Sequence, residues 1–202
     1  MAEQKAPATE STVSGAEWYG EDISGQIHTR VLFTDLDLTE VENDGAVFTE
    51  CVFRRARFNA SVHRNAAFVN CTFANCNFYD ARFTDCKLVG SRFDRCTFDS
   101  LTVSGGNWSF VALGGADLRS AAITGARLRE ADLTGARCQG ATLRDVDLGG
   151  AWLHRADLGG CDLRGSDLSS VDPETTVLRG AIITIDQTIA IAEALGLDVR
   201  AE

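Results

Sequence analysis

A five-residue hydrophobic period runs through this chain without a break. Stepping by five from Trp18 to Ile183 gives 34 positions, here called central, and 30 of them are apolar. The exceptions are His28, Asn43, His63 and Pro173. Hydrophobic residues make up 45% of the sequence, so chance would place roughly half that number there. Ten of the eleven phenylalanines are central, between Phe33 and Phe98, and leucine dominates from Leu113 to Leu178. A second selected class lies two residues before each central position: fourteen alanines and six of the seven cysteines, with Glu21 and Gln26 out of character.

A period of five matches neither the 3.6 of a helix nor the 2 of a single strand, so it implies a solenoid. In extended backbone, residues two apart point the same way. Each unit therefore turns one large and one small side chain inward and three polar positions outward. Four units, each turning a corner, close a square coil of 20 residues. Coils stack at the spacing of hydrogen-bonded strands, about 4.8 Å, so about eight of them make a rod about 40 Å long. Each coil buries its core only against its neighbours, which makes stability nearly one-dimensional and leaves both ends to be covered.

The period divides the chain into three parts. Residues 1–15 lack visible periodicity and are small and polar, which predicts a flexible N-terminal extension. Residues 16–183 form the solenoid. Residues 184–202 leave the period: Thr184-Ile185-Asp186-Gln187 reads as a capping box opening a helix, and Gly196 is placed to end it. Ile185, Ile189, Ala192 and Leu195 fall along one side of that helix. This stripe either caps the last coil or also packs on a second subunit about a two-fold axis, forming a homodimer.

Several function classes are disfavoured. No run is long and apolar enough to cross a membrane, and the first residues lack a hydrophobic leader, so a cytoplasmic location is expected. Seven cysteines with no CxxC pair suit buried free thiols better than a disulfide framework or a metal site. Cys51 and Cys71, like Cys76 and Cys96, are twenty apart and should stack on adjacent coils. His28 and His63 are central and read as structural, while His154 stands alone, so no catalytic constellation, metal site or cofactor is expected. Nineteen basic against 29 acidic residues give a net charge of -10, which disfavours direct nucleic-acid binding and favours basic partners.

The pattern Ala-Asp-Leu-x-Gly, seen as Ala131-Asp132-Leu133-Thr134-Gly135 and Ala156-Asp157-Leu158-Gly159-Gly160, resembles the pentapeptide-repeat family. The resemblance implies an all-β fold, a right-handed quadrilateral β-helix, here with the short C-terminal α-helix. A narrower likeness is to the loopless MfpA-type branch, as opposed to the loop-bearing Qnr proteins. It rests on residues 112–119, 124–130 and 171–173, and on Asp186-Gln187 leading into an alanine-rich helix. It implies a dimeric, non-enzymatic rod that imitates duplex DNA, binds DNA gyrase or a related type II topoisomerase, and inhibits it or protects it from quinolones.

The acids are unevenly placed. The position before the central residue is acidic in 11 of 34 units: Glu17, Asp22, Asp37, Glu42, Asp117, Asp132, Asp147, Asp157, Asp162, Asp167 and Asp172. Residues 17–50 hold nine acids and one base, whereas 51–95 hold three acids and eight bases. Short polar side chains at this position also serve turn geometry. Joining two rods by their C-terminal ends would gather the later aspartates at the centre, so Asp117, Asp132, Asp147, Asp157, Asp162 and Asp167 are the candidate partner-binding surface. Duplex DNA carries one charge per about 1.7 Å, far more than a dimer of this chain, so imitation would be local.

Overall fold

Residues twenty apart lie side by side. In the computed structural model, which describes residues 6–200, the strands Ser11–Ser14, Val31–Thr34, Val52–Arg54, Thr72–Ala74 and Arg92–Asp94 form a five-stranded parallel sheet. Its register pairs Val13 with Phe33, Phe33 with Phe53, Phe53 with Phe73, and Phe73 with Phe93. This is the first face of a four-sided β-helix. The third face is a six-stranded parallel sheet beginning at Glu42–Asp44 and ending at Thr142–Arg144, and the fourth begins with a three-stranded one. The second face is joined by single bridges at the same offset, such as Glu17 to Asp37, Asp117 to Arg137, and Arg137 to Asp157. The expected quadrilateral β-helix with a short C-terminal helix is therefore the fold.

The N-terminal boundary differs from the sequence expectation. Glu10 donates its amide to the Arg30 carbonyl, and Ser11–Ser14 is a paired strand, so the chain enters the solenoid well before residue 16. Val13 continues the five-residue register, and Gly15 makes the first corner at a φ of 62°. Strand pairing uses backbone groups, so a Ser/Thr-rich segment with linker-like composition can join the sheet edge. The expectation for Met1 to Lys5 lies outside the described residues.

Aromatic side chains fill the first half of the core in columns. Ring centroids along the first face are 4.9, 5.0 and 4.8 Å apart from Phe33 through Phe53 and Phe73 to Phe93, close to the strand spacing. Phe58 and Phe78 stack on the second face at 4.7 Å. Rings on adjacent faces meet edge-on, as Phe73 and Phe78 do at 74°. Both are buried.

The polar exceptions form a satisfied chain within this core. Asn43 Nδ2 donates to His63 Nδ1 at 2.9 Å, and His63 Nε2 donates to Ser61 Oγ at 3.0 Å. Ser61 Oγ passes its hydrogen to the Phe58 carbonyl at 2.7 Å. These bonds require a neutral imidazole with its proton on Nε2. Burial lowers the His63 pKa to about 3.

The small inward class also has a hydrogen-bonding role. Cys71, Cys76, Cys86 and Cys96 each donate a thiol to the carbonyl 23 residues earlier, at 3.4–3.5 Å. Ser91, Ser166 and Thr176 do the same with hydroxyls. All seven cysteines are free thiols.

Most corners are turned by the residue two after the central one. That residue takes a left-handed φ at Arg30, Asp35, Glu40, Glu50 and onward to Arg155, with glycines at many of the remaining corners. Most non-glycine occupants are polar; Ala60 at 53° and Phe110 at 61° stand apart.

The helix spans Gln187–Ala194. Gln187 Oε1 accepts from the Thr184 amide at 2.8 Å, which is the glutamine arm of the expected capping box. The reciprocal threonine bond is missing: Thr184 Oγ1 turns to the same Gln187 oxygen, and Asp186 makes no side-chain cap. Gln187 Nε2 instead donates to the Leu163 and Ser166 carbonyls, tying the helix to the last coils. Ile191 packs against the core, so the helix rests on a different side from the expected stripe. Ile185, Ile189 and Leu195 are exposed and Ala192 is half-buried.

Candidate partner-binding surface

The six predicted aspartates occupy all four faces. Bridge and strand register puts Asp132 on the first, Asp117 and Asp157 on the second, Asp162 on the third, and Asp147 and Asp167 on the fourth. Within one chain they do not converge on a single patch. Each accepts the backbone N–H two residues on: Arg119, Thr134, Gly149, Gly159, Arg164 and Ser169, at 2.9–3.4 Å. This is the side-chain-to-backbone turn that makes Asp and Asn favourable here.

Arginines neutralise half of the set. Asp117 is held by Arg119 at 2.7 Å and Arg137 at 2.8 Å, and the Arg119 hydrogen bonds lead in lowering its carboxyl to about 2. Asp162 pairs with Arg164 at 2.7 Å, with the same effect, and more distantly with Arg144. Arg129 lies 3.3 Å from Asp147. Asp157 is bound by the neutral Gln139 at 2.7 Å. Among the described residues, Asp132, Asp157 and Asp167 have no ion-pair partner.

The first two coils are different. On their second and third faces, residues 16–25 and 36–45 carry Glu17, Glu21, Asp22, Asp37, Glu40, Glu42 and Asp44 and no cation. Arg57 reaches Asp37 at 2.5 Å and Arg64 reaches Glu42 at 2.6 Å from the next coil. Tyr19 is exposed within this surface and donates its hydroxyl to Glu40 at 3.1 Å. The local acid count was legible in the sequence; its confinement to two adjoining faces required the corner geometry.

The C-terminal end is apolar. Besides Ile185, Ile189 and Leu195, the side chains of Val177 and Ile182 are about half exposed on the last coil. Sequence reading missed these two. They sit at the outward position before a central residue, where apolar residues are uncommon in the later coils, and that oddity was the available signal.

No described helix is long and apolar enough to cross a membrane. Among the described residues, no three His, Cys, Asp or Glu side chains are grouped to hold a metal. A four-sided parallel β-helix whose coils repeat every five residues per side, unbroken by loops, defines a class of protein by itself. Family models describe residues 46–123 as a pentapeptide repeat region and residues 113–150 and 143–184 as pentapeptide repeats; the chain belongs to the pentapeptide-repeat family.

Among solved structures, the chain is similar to QnrB1, a plasmid-mediated fluoroquinolone resistance protein. A trypsin-treated variant of QnrB1 matches with a TM-score of 0.61 and 22% identity over 96% of this chain and 98% of that one. Full-length QnrB1 gives 0.60 and 22% over 94% and 99%. HetL from the cyanobacterium Nostoc sp. strain PCC 7120, involved in heterocyst differentiation regulation, gives 0.46 and 20% over 87% and 84%. At these identities the likeness to QnrB1 is one of fold. No curated protein matches the sequence significantly.

Proposed function

We propose that this protein binds DNA gyrase, or a related type II topoisomerase, as an imitation of duplex DNA, and thereby inhibits the enzyme or protects it from quinolones. The observation that carries this reading is the acidic surface of the first two coils, a stretch of rod with seven carboxylates and no cation of its own on two adjoining faces. A groove built for phosphates attracts such a surface. The fold shared with a fluoroquinolone resistance protein supports the same reading. The protein acts without chemistry of its own, as a homodimer joined through Ile185, Ile189, Ala192 and Leu195, with Val177 and Ile182 alongside. Such a dimer sets the acidic coils at its two tips and gathers Asp157 and Asp167 of both chains near its centre.

Inhibition of gyrase supercoiling of relaxed plasmid tests this. Full inhibition by the wild type, declining with added salt, is expected. Two variants locate the surface: Glu17→Gln with Asp22→Asn and Glu40→Gln at the tips, and Asp157→Asn with Asp162→Asn and Asp167→Asn near the centre. Loss in either one supports the proposal. If both fold and inhibit as strongly as the wild type, carboxylate imitation of DNA is wrong. A second reading is a non-catalytic scaffold for another protein, favoured by the way all six later aspartates serve their own backbone. That reading predicts no inhibition at all.

A further inference from the structure

Imitation of DNA makes no use of the cysteines, yet four of them stand in pairs. Thr72 donates its amide to the Cys51 carbonyl at 2.9 Å, and Thr97 donates to the Cys76 carbonyl at 3.1 Å. Cys71 therefore stacks on Cys51, and Cys96 on Cys76, in adjacent coils. At the strand spacing of about 4.8 Å, each pair falls within the Cα separation that a disulfide bridges. In both pairs the two thiols are within hydrogen-bonding reach of each other.

Their surroundings set the two pairs apart. Cys51 and Cys71 are sealed in the core, 0% and 1% exposed. Cys96 is partly exposed, with buried Cys76 directly below it. A groove of about 410 Å³ at the corner between the first and second faces reaches Cys96. The coil above supplies only Gly114, Gly115 and Ala116 there, so no large side chain covers the thiol. The charged lining consists of two ion pairs, Arg95 with Asp94 at 3.0 Å and Arg137 with Asp117 at 2.8 Å, together with Asp99. Its small negative balance favours a neutral oxidant over an anionic one. One thiol donating to the other eases loss of the first proton from the pair and opposes loss of the second.

We infer that Cys76 and Cys96 form a redox-active dithiol, a modification site at which hydrogen peroxide closes a disulfide between adjacent coils. The Cys96 sulfur, which the groove reaches, attacks one peroxide oxygen. The O–O bond breaks, the thiol proton goes to the departing oxygen, and a sulfenic acid and one water result. The Cys76 sulfur then attacks the Cys96 sulfur; the S–S bond forms, the S–O bond breaks, and the Cys76 proton leaves with the hydroxide as a second water. Two thiols are oxidised and one peroxide is reduced.

Treatment of the folded protein with hydrogen peroxide tests this, read by non-reducing digestion and mass spectrometry. The expected product joins the Cys76 and Cys96 peptides with the loss of two hydrogens, leaves Cys51 and Cys71 as thiols, and is reversed by dithiothreitol. Cys76→Ser, oxidised in the same way, should hold Cys96 as a sulfenic acid that dimedone labels, and Cys96→Ser should abolish both products. Serine suits this position, since Ser91 and Ser166 fill the small inward class elsewhere and donate to the same kind of carbonyl. The inference fails if no cysteine reacts in the folded protein, or if Cys96 is oxidised alone or bridges to a second molecule. It fails equally if Cys51 and Cys71 bridge as fast as Cys76 and Cys96, since the groove would then have no role.

Discussion

Lowering the pH should destabilise this fold through His63 before any carboxylate takes part. Burial penalises the imidazolium, so the folded-state pKa falls from 6.5 to about 3. An unfolded chain takes up the proton below about 6.5, and the folded one holds off until about 3. The stabilisation is thus complete above pH 6.5 and is lost progressively as pH falls toward 3. At pH 5 the gap is about 1.5 pH units, and at 1.36 kcal/mol per unit the loss is about 2 kcal/mol. Asp35, Asp117 and Asp162, each lowered to about 2, add their losses only below the ordinary carboxylate range, near pH 4. Urea unfolding followed by circular dichroism at pH 7.5 and pH 5.0 measures the effect, with His63→Phe as the reference. Phenylalanine suits the column because His63 already stacks on Phe83 at 4.7 Å. The variant leaves Asn43 Nδ2 without its acceptor, but that cost is the same at both pH values and cancels. So does the contribution of half-buried His28, also lowered by desolvation. The wild type should lose about 2 kcal/mol more than the variant between the two conditions. Equal losses would refute the neutral, hydrogen-bonded assignment of His63.

Phe78→Asp places an unpaired carboxylate among stacked rings, at a cost of several kcal/mol, and circular dichroism should show an unfolded or severely destabilised chain. Ile189→Glu should halve the mass seen by light scattering if the exposed C-terminal stripe joins two chains, and leave the thermal midpoint of the coils nearly unchanged. Ala60→Gly relieves a left-handed corner and should stabilise by roughly 0.5–1 kcal/mol in the same urea assay. Thiol labelling of the native protein should modify Cys96 first, since it alone of the seven is not fully buried, and all seven after denaturation.

The period made the fold legible because a buried square core can be filled in only one register: Phe73 and Phe78 had to face inward once their spacing was recognised. The start of the solenoid was less legible. Ser11–Ser14 pairs through its backbone, and only Val13 and Gly15 signal the register there. The helix was placed correctly, but which side it rests on depends on Gln187 reaching two carbonyls more than twenty residues away. The candidate surface was the least legible part. A list of aspartates such as Asp117 and Asp162 does not reveal that arginines two residues or one coil away neutralise them. Nor does spacing alone distinguish a carboxylate offered to a partner from one spent on its own turn.

The offset of twenty also sets how such a chain can change length. Insertion or removal of five residues preserves every inward side chain, yet it turns all that follows by a quarter revolution. Removal of one repeat between them would bring Asp157 onto the face of Asp132, and the C-terminal helix would leave from another side. Insertion or removal of twenty lengthens or shortens the rod by one coil and keeps each downstream column on its face. The core therefore tolerates drift in steps of one repeat, whereas any partner that reads a face, or a second chain that docks on the end, restricts it to steps of four. Natural length variation among proteins that share such a partner should fall in multiples of twenty residues, and in multiples of five where only the core is under selection.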